Sequence, residues 1–166
     1  MKLKIMKYVA ILLLIVGNVS CQMMDTSEEV IEPIIPGDGV IAFFEEHLPP
    51  YSGAESDCFF VDIDHQKSIC VLINSVEEFR NNFSCSSTML PEIDFKSHTL
   101  IIGQYYPIRE SSYKVINQEL VVKSKEIELN LYVTSPEYTF ATQTRLYYWG
   151  IYPKLRNKPI NVNIIY

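Results

Sequence analysis

Basic residues are the scarcer charge in this chain: 14 lysines and arginines stand against 20 aspartates and glutamates, a formal charge of −6 at pH 7. A nucleic-acid binder needs a basic footprint to displace counterions from phosphates, so that class is excluded. The same scarcity leaves no basic patch for an anionic lipid surface. Long apolar runs are missing too, since residues 8–16 supply nine where a bilayer core takes about 18 to 20. Histidine and cysteine are few, three and four, and none fall in a zinc-type cysteine spacing or a His-Glu-x-x-His helix. With six glycines the chain has neither a phosphate-cradling loop nor a Gly-x-Ser-x-Gly elbow. These absences argue against a familiar enzyme; no catalytic residue, metal or cofactor is expected.

What is present begins with an address. Lys2, Lys4 and Lys7 form a basic start, residues 8–16 are apolar, and Gly17-Asn18-Val19-Ser20-Cys21 follows. That is a secretory leader. Its end resembles a signal peptidase II lipobox in the small Ser20 and in Cys21, with Asn18 where that motif prefers Leu. The expectation is a leader over residues 1–20, a lipid on Cys21 and membrane attachment through acyl chains, which anchor without help from the protein surface; the alternative is an ordinary cleaved secretory signal. Gln22, not Asp, follows Cys21, and Asp25, Glu28 and Glu29 resemble an acidic surface-export signal, so the outer membrane is the expected location. Losing residues 1–20 removes three lysines and no acid, making the remainder more acidic still.

Residues 21–39 carry acids, prolines and Gly37 and Gly39 without periodicity and read as a flexible tether. Residues 40–166 are expected to form a single globular domain. Val40, Ile41, Phe44 and Leu48 keep helical spacing until Pro49-Pro50 stops them. Ser75-Val76-Glu77-Glu78 is a capping-box pattern opening a second helix from 75 to about 84. Residues 59–64 and 68–74 read as two strands of a hairpin around His65-Gln66-Lys67. Residues 99–106 and 146–152 are apolar on both faces, as central strands are, and residues 113–116 and 120–123 look like shorter strands. Residues 127–133 and 160–164 alternate, as in a sheet with one wet face. Together these predict an α+β fold, predominantly an antiparallel β-sheet of about seven or eight strands with two short helices.

With Cys21 assigned to lipid, Cys58, Cys70 and Cys85 remain, and one pair with one left over is expected in an oxidising compartment. In the predicted hairpin Cys70 falls on the face opposite Cys58, because side chains alternate, and Cys70 reads as a small buried hydrophobe. Cys58 with Cys85 is therefore the favoured disulfide, three free thiols being the main alternative.

Four segments carry a resemblance: Leu72-Ile73-Asn74-Ser75-Val76-Glu77-Glu78-Phe79, then Leu90-Pro91-Glu92-Ile93-Asp94-Phe95, then Thr99-Leu100-Ile101-Ile102-Gly103, then Tyr148-Trp149-Gly150-Ile151-Tyr152-Pro153-Lys154-Leu155. Their order resembles secreted lipoproteins of Bacteroidota bacteria and, distantly, PrcB-type domains. Pro107-Ile108-Arg109-Glu110-Ser111-Ser112 replaces the threonine- and glycine-rich stretch typical of the latter. The resemblance implies an envelope lipoprotein with a β-rich domain and supplies no catalytic residue.

Three features are candidates for chemistry. Asp62-Ile63-Asp64-His65 is a metal-like cluster, though calcium wants more oxygens and zinc another nitrogen or sulfur, so a solvated hairpin end is the expected state. His47 and His98 have no identifiable partner. Tyr147, Tyr148, Trp149 and Tyr152, with Tyr105 and Tyr106, are expected in the core; yet neighbours on a strand face opposite ways, so one exposed face of them can stack sugar or peptide, ringed by Arg109, Glu110, Ser111 and Tyr113. The functional expectation is a non-enzymatic module that binds protein or glycan. The alternative is a hydrolase, or a protease-associated accessory or inhibitor, using carboxylates such as Asp62, Asp64 or Glu92.

Overall fold

Two stretches of this sequence are apolar on both faces, and strands of that kind need cover above and below. The computed structural model, which describes residues 28–52, 56–86, 89–108, 113–134 and 144–166, supplies that cover. Along the chain run β1 (Glu29–Ile31), α1 (Asp38–His47), β2 (Cys58–Phe60), β3 (Ile69–Ile73), α2 (Val76–Asn82), β4 (Phe83–Cys85), β5 (His98–Ile108), β6 (Val115–Val122), β7 (Ile127–Val133), β8 (Thr144–Pro153) and β9 (Ile160–Ile165). The fold is α+β and β-rich. Cys21, the leader and residues 22–27 lie outside the described residues, as do Arg109, Glu110 and Ser111.

The middle layer is an antiparallel sheet in the order β3-β5-β8. Alternate residues divide between its two faces. Ile73, Leu100, Ile102, Tyr147 and Ile151 pack against α1, α2 and the β2-β4 ribbon. Ile101, Tyr148 and Tyr152 pack the other way, against Leu120, Ile127, Leu129 and Leu131 of a second sheet, ordered β1-β6-β7-β9. The outward edge of β8 is covered locally: the Ile34 amide donates to the Ile151 carbonyl at 2.8 Å and Gln118 Nε2 donates to the Trp149 carbonyl at 2.7 Å. Such cover blunts an edge that otherwise templates aggregation.

Both predicted helices form. In α2 the Ser75 hydroxyl accepts from the Glu78 amide at 3.1 Å, while the Glu78 carboxylate accepts from the Asn74 amide at 2.6 Å, satisfying two otherwise orphaned donors. Other expectations are corrected. The hairpin of residues 59–74 does not form: β2 pairs with β4 and β3 with β5. The reason lies in the residues, because β3 is apolar on both faces and belongs mid-molecule. In β2, by contrast, Phe59 is exposed between buried Cys58 and Phe60, which suits a covering ribbon. β1 and the Ile34 contact lie within the stretch read as tether, so the folded unit begins earlier than residue 40. The two short strands at 113–123 are one strand, β6. One pair, β7 with β9, is parallel, because β8 crosses to the middle sheet between them.

Candidate functional site

A concavity lies where α1, α2 and residues 89–94 meet. α1 turns Val40, Phe43 and Phe44 inward, and Phe44 stacks on Trp149 with ring centroids 4.5 Å apart. α2 buries Phe79 in the same core. Between the helices stays a groove of about 1250 Å³. Val40, Phe43, Val76, Met89, Leu90 and Ile93 give it an apolar lining, and Glu46, Glu92 and Asp94 outnumber Arg80 among its charges. Val76 is 43% and Met89 78% exposed, so part of that lining faces solvent.

The third wall is an extended segment pinned at its end. Asp94 Oδ1 accepts from the Lys96 amide at 3.0 Å, and its carbonyl accepts from the Ser97 and His98 amides. The Ser97 hydroxyl, then the Lys96 amide, hold the Asp94 carboxyl below its ordinary value. Asp94 therefore stays charged at neutral pH.

At one end of the groove His47 meets a second cluster. His47 Nδ1 lies 2.9 Å from Asp57 Oδ1, and the Ser86 hydroxyl donates to Asp57 Oδ2. Asp57 is held below its ordinary value, first by that Ser86 hydrogen bond and then by His47, against desolvation that raises it. The order of contacts matters. A hydrolytic triad has the imidazole between hydroxyl and carboxylate, whereas here the carboxylate stands between hydroxyl and imidazole. Beside it Cys58 and Cys85, opposite one another in the β2-β4 register, are joined as a disulfide.

No protein-family model, curated protein or solved structure matches the chain.

The residues singled out by sequence scatter. Tyr147, Tyr148 and Tyr152 are buried at 2%, 1% and 0% exposure, and Trp149 lies against Phe44. As a stacking surface the three tyrosines are corrected: the middle sheet is covered on both faces, so their rings are inside, while Trp149 is half-buried. Burial pushes the phenols of all three tyrosines up. Asp62 and Asp64 lie in an exposed turn, where Asp64 Oδ1 accepts from the Gln66 amide at 2.9 Å. His65 turns instead to Arg145, at 3.0 Å. Glu92 sits apart from both, on the groove. His98 begins β5. The pairing of Cys58 with Cys85 stands on different ground from the hairpin used to infer it, because Cys70 belongs to the other core. Burial pushes the Cys70 thiol up to about 12, although Tyr148 lowers it. Sequence reasoning missed the groove, for which the available signal was Met89-Leu90-Pro91, an apolar stretch outside any strand.

Proposed function

We propose that this protein is a non-enzymatic binding module of the bacterial cell envelope, lipid-anchored through Cys21, whose groove receives a short apolar segment of another protein flanked by lysine or arginine. The leader ending in Ser20-Cys21 supports the address. The observation that carries the binding role is the groove itself: a concave, partly exposed apolar surface between two helices, rimmed by Glu46, Glu92 and Asp94 against one Arg80. Ligand sites are concave and mostly apolar with a few oriented polar groups, and an acidic rim selects a basic partner through electrostatic complementarity. A glycan is the poorer fit, since the one Phe, Tyr or Trp ring among the groove's lining residues, Phe43, is 8% exposed and offers little face for a sugar to stack on.

Selection of displayed random peptides against the purified full chain tests this. The expected winners have a short apolar core with basic flanks, and Val76→Asp weakens them at least about tenfold by placing an unpaired charge against apolar ligand. Winners indifferent to Val76→Asp, or acidic in their flanks, would contradict the reading.

A further inference from the structure

We infer that His47, Asp57, Cys58 and Cys85 form a redox-gated binding site for a thiophilic divalent cation of the zinc class, closed while the disulfide is intact and opened by its reduction. Among the described residues, the group whose potential ligand atoms come together is His47, Asp57 and Cys58, all within 4.8 Å of one another. Asp57 Oδ1 is 2.9 Å from His47 Nδ1 and 3.7 Å from Cys58 Sγ. Tetrahedral zinc, with bonds of about 2.0 to 2.3 Å, sets its ligands roughly 3.3 to 3.8 Å apart. The oxygen–sulfur separation falls in that range, the nitrogen–oxygen one is a few tenths of an ångström short of it, and the nitrogen and sulfur lie within 4.8 Å of each other. Cys85 Sγ, bonded to Cys58, is the fourth donor once released, giving one nitrogen, one oxygen and two sulfurs.

The surroundings hold these donors in place. His47 closes α1, whose last carbonyl accepts from the Ser56 hydroxyl at 2.6 Å, and the same Ser56 oxygen accepts from the Cys58 amide at 3.1 Å. Ser86 donates to Asp57 Oδ2, as outer hydrogen bonds orient ligating carboxylates, and Oδ1, which now pairs with His47 Nδ1, is the oxygen a metal takes when the proton between them moves to Nε2. Cys58 is buried while Cys85 is half-exposed, so an incoming thiolate reaches Cys85 first.

The reaction balances with a dithiol as reductant. One thiolate of the dithiol attacks Cys85 Sγ, breaking the Cys58–Cys85 bond and forming a mixed disulfide; its second thiolate then releases Cys85. Two electrons pass to the protein sulfurs, the dithiol becomes a disulfide, and two protons are released as both cysteines bind the cation as thiolates.

Cobalt(II) is the probe, because thiolate-to-cobalt charge transfer and tetrahedral visible bands report the donor set directly. The full chain, purified in detergent, is titrated before and after reduction by a non-thiol phosphine. The expected result is no thiolate band when oxidised, and one cobalt per reduced chain with the tetrahedral signature. Zinc displaces it, Cys70→Ala leaves it intact, and His47→Gln or Asp57→Asn each weakens affinity about tenfold or more. A reduced chain without the band overturns the inference. So does a band indifferent to both His47→Gln and Asp57→Asn, which is what loose thiols of an unfolded chain give.

Discussion

Gly103 shows how a single atom is fixed by the packing of the middle sheet. A Cβ there meets the Tyr148 phenol and the Ile69 carbonyl, both held, since the Tyr148 hydroxyl donates to that carbonyl at 3.0 Å. Gly103→Ala is expected to destabilise by about 1 to 3 kcal/mol through overpacking. At Gly39 a Cβ meets nothing within 4 Å, so Gly39→Ala is expected to be neutral or stabilising by up to about 1 kcal/mol. Urea midpoints of the two variants check the contrast. Asp57 is a residue whose titration reports folding. Its carboxyl is lowered from 3.8 in the folded chain, first by Ser86. Its contribution is therefore complete above the unfolded value and lost as pH falls through the lower folded one. The side chain is 40% exposed, so the effect is small after solvent screening. Melting temperatures below pH 4 should fall less steeply for Asp57→Asn than for the parent; equal slopes would contradict the assignment.

At the scale of elements, the β2-β4 ribbon depends on its staple. The disulfide spans a sequence separation of 27, which the chain-entropy model values at roughly 3 to 4 kcal/mol. Reduction in the absence of metal is expected to lower the melting temperature, and Cys70→Ala should preserve that sensitivity because Cys70 sits in the other core. Non-reducing mass mapping that found Cys70 bridged would refute the arrangement. Elements were legible where local chemistry decides them. Ser75 and Glu78 mark a cap whatever surrounds them, and the runs at 99–106 and 146–152 declare burial on both faces. Pairing was not legible. The polar turn His65-Gln66-Lys67 looks like a hairpin tip, yet Gln104 Nε2 crosses to donate to the Lys67 carbonyl at 2.7 Å, tying the turn to β5. The parallel β9 and the pairing of β1 depend on partners far along the chain, and alternation within a strand says which face is wet without saying what lies beside it.

For the whole molecule, the middle sheet decides where a ligand can go. Covering both its faces puts Tyr147, Tyr148 and Tyr152 inside and so removes the surface that composition advertised. The four-stranded sheet closes one side. The helical layer on the other closes incompletely, leaving the groove between α1, α2 and residues 89–94. Its components lie in three segments that only the fold assembles, which is why the groove could not be read from any one of them. The basic residues that line the smaller pocket near β1 are partly spent internally: Lys154 Nζ donates to the Asn74 and Phe95 carbonyls and Lys158 Nζ to that of Lys123. The larger groove keeps its acidic rim. The most direct test of its role is photocrosslinking on intact cells from a reactive residue at position 76, compared with one at Ile116, which is exposed on β6, with the captured segment sequenced by mass spectrometry. The account predicts that position 76 captures one defined apolar segment with lysine or arginine flanks and that position 116 does not; glycan or lipid adducts at 76, or the same capture from both positions, would contradict it.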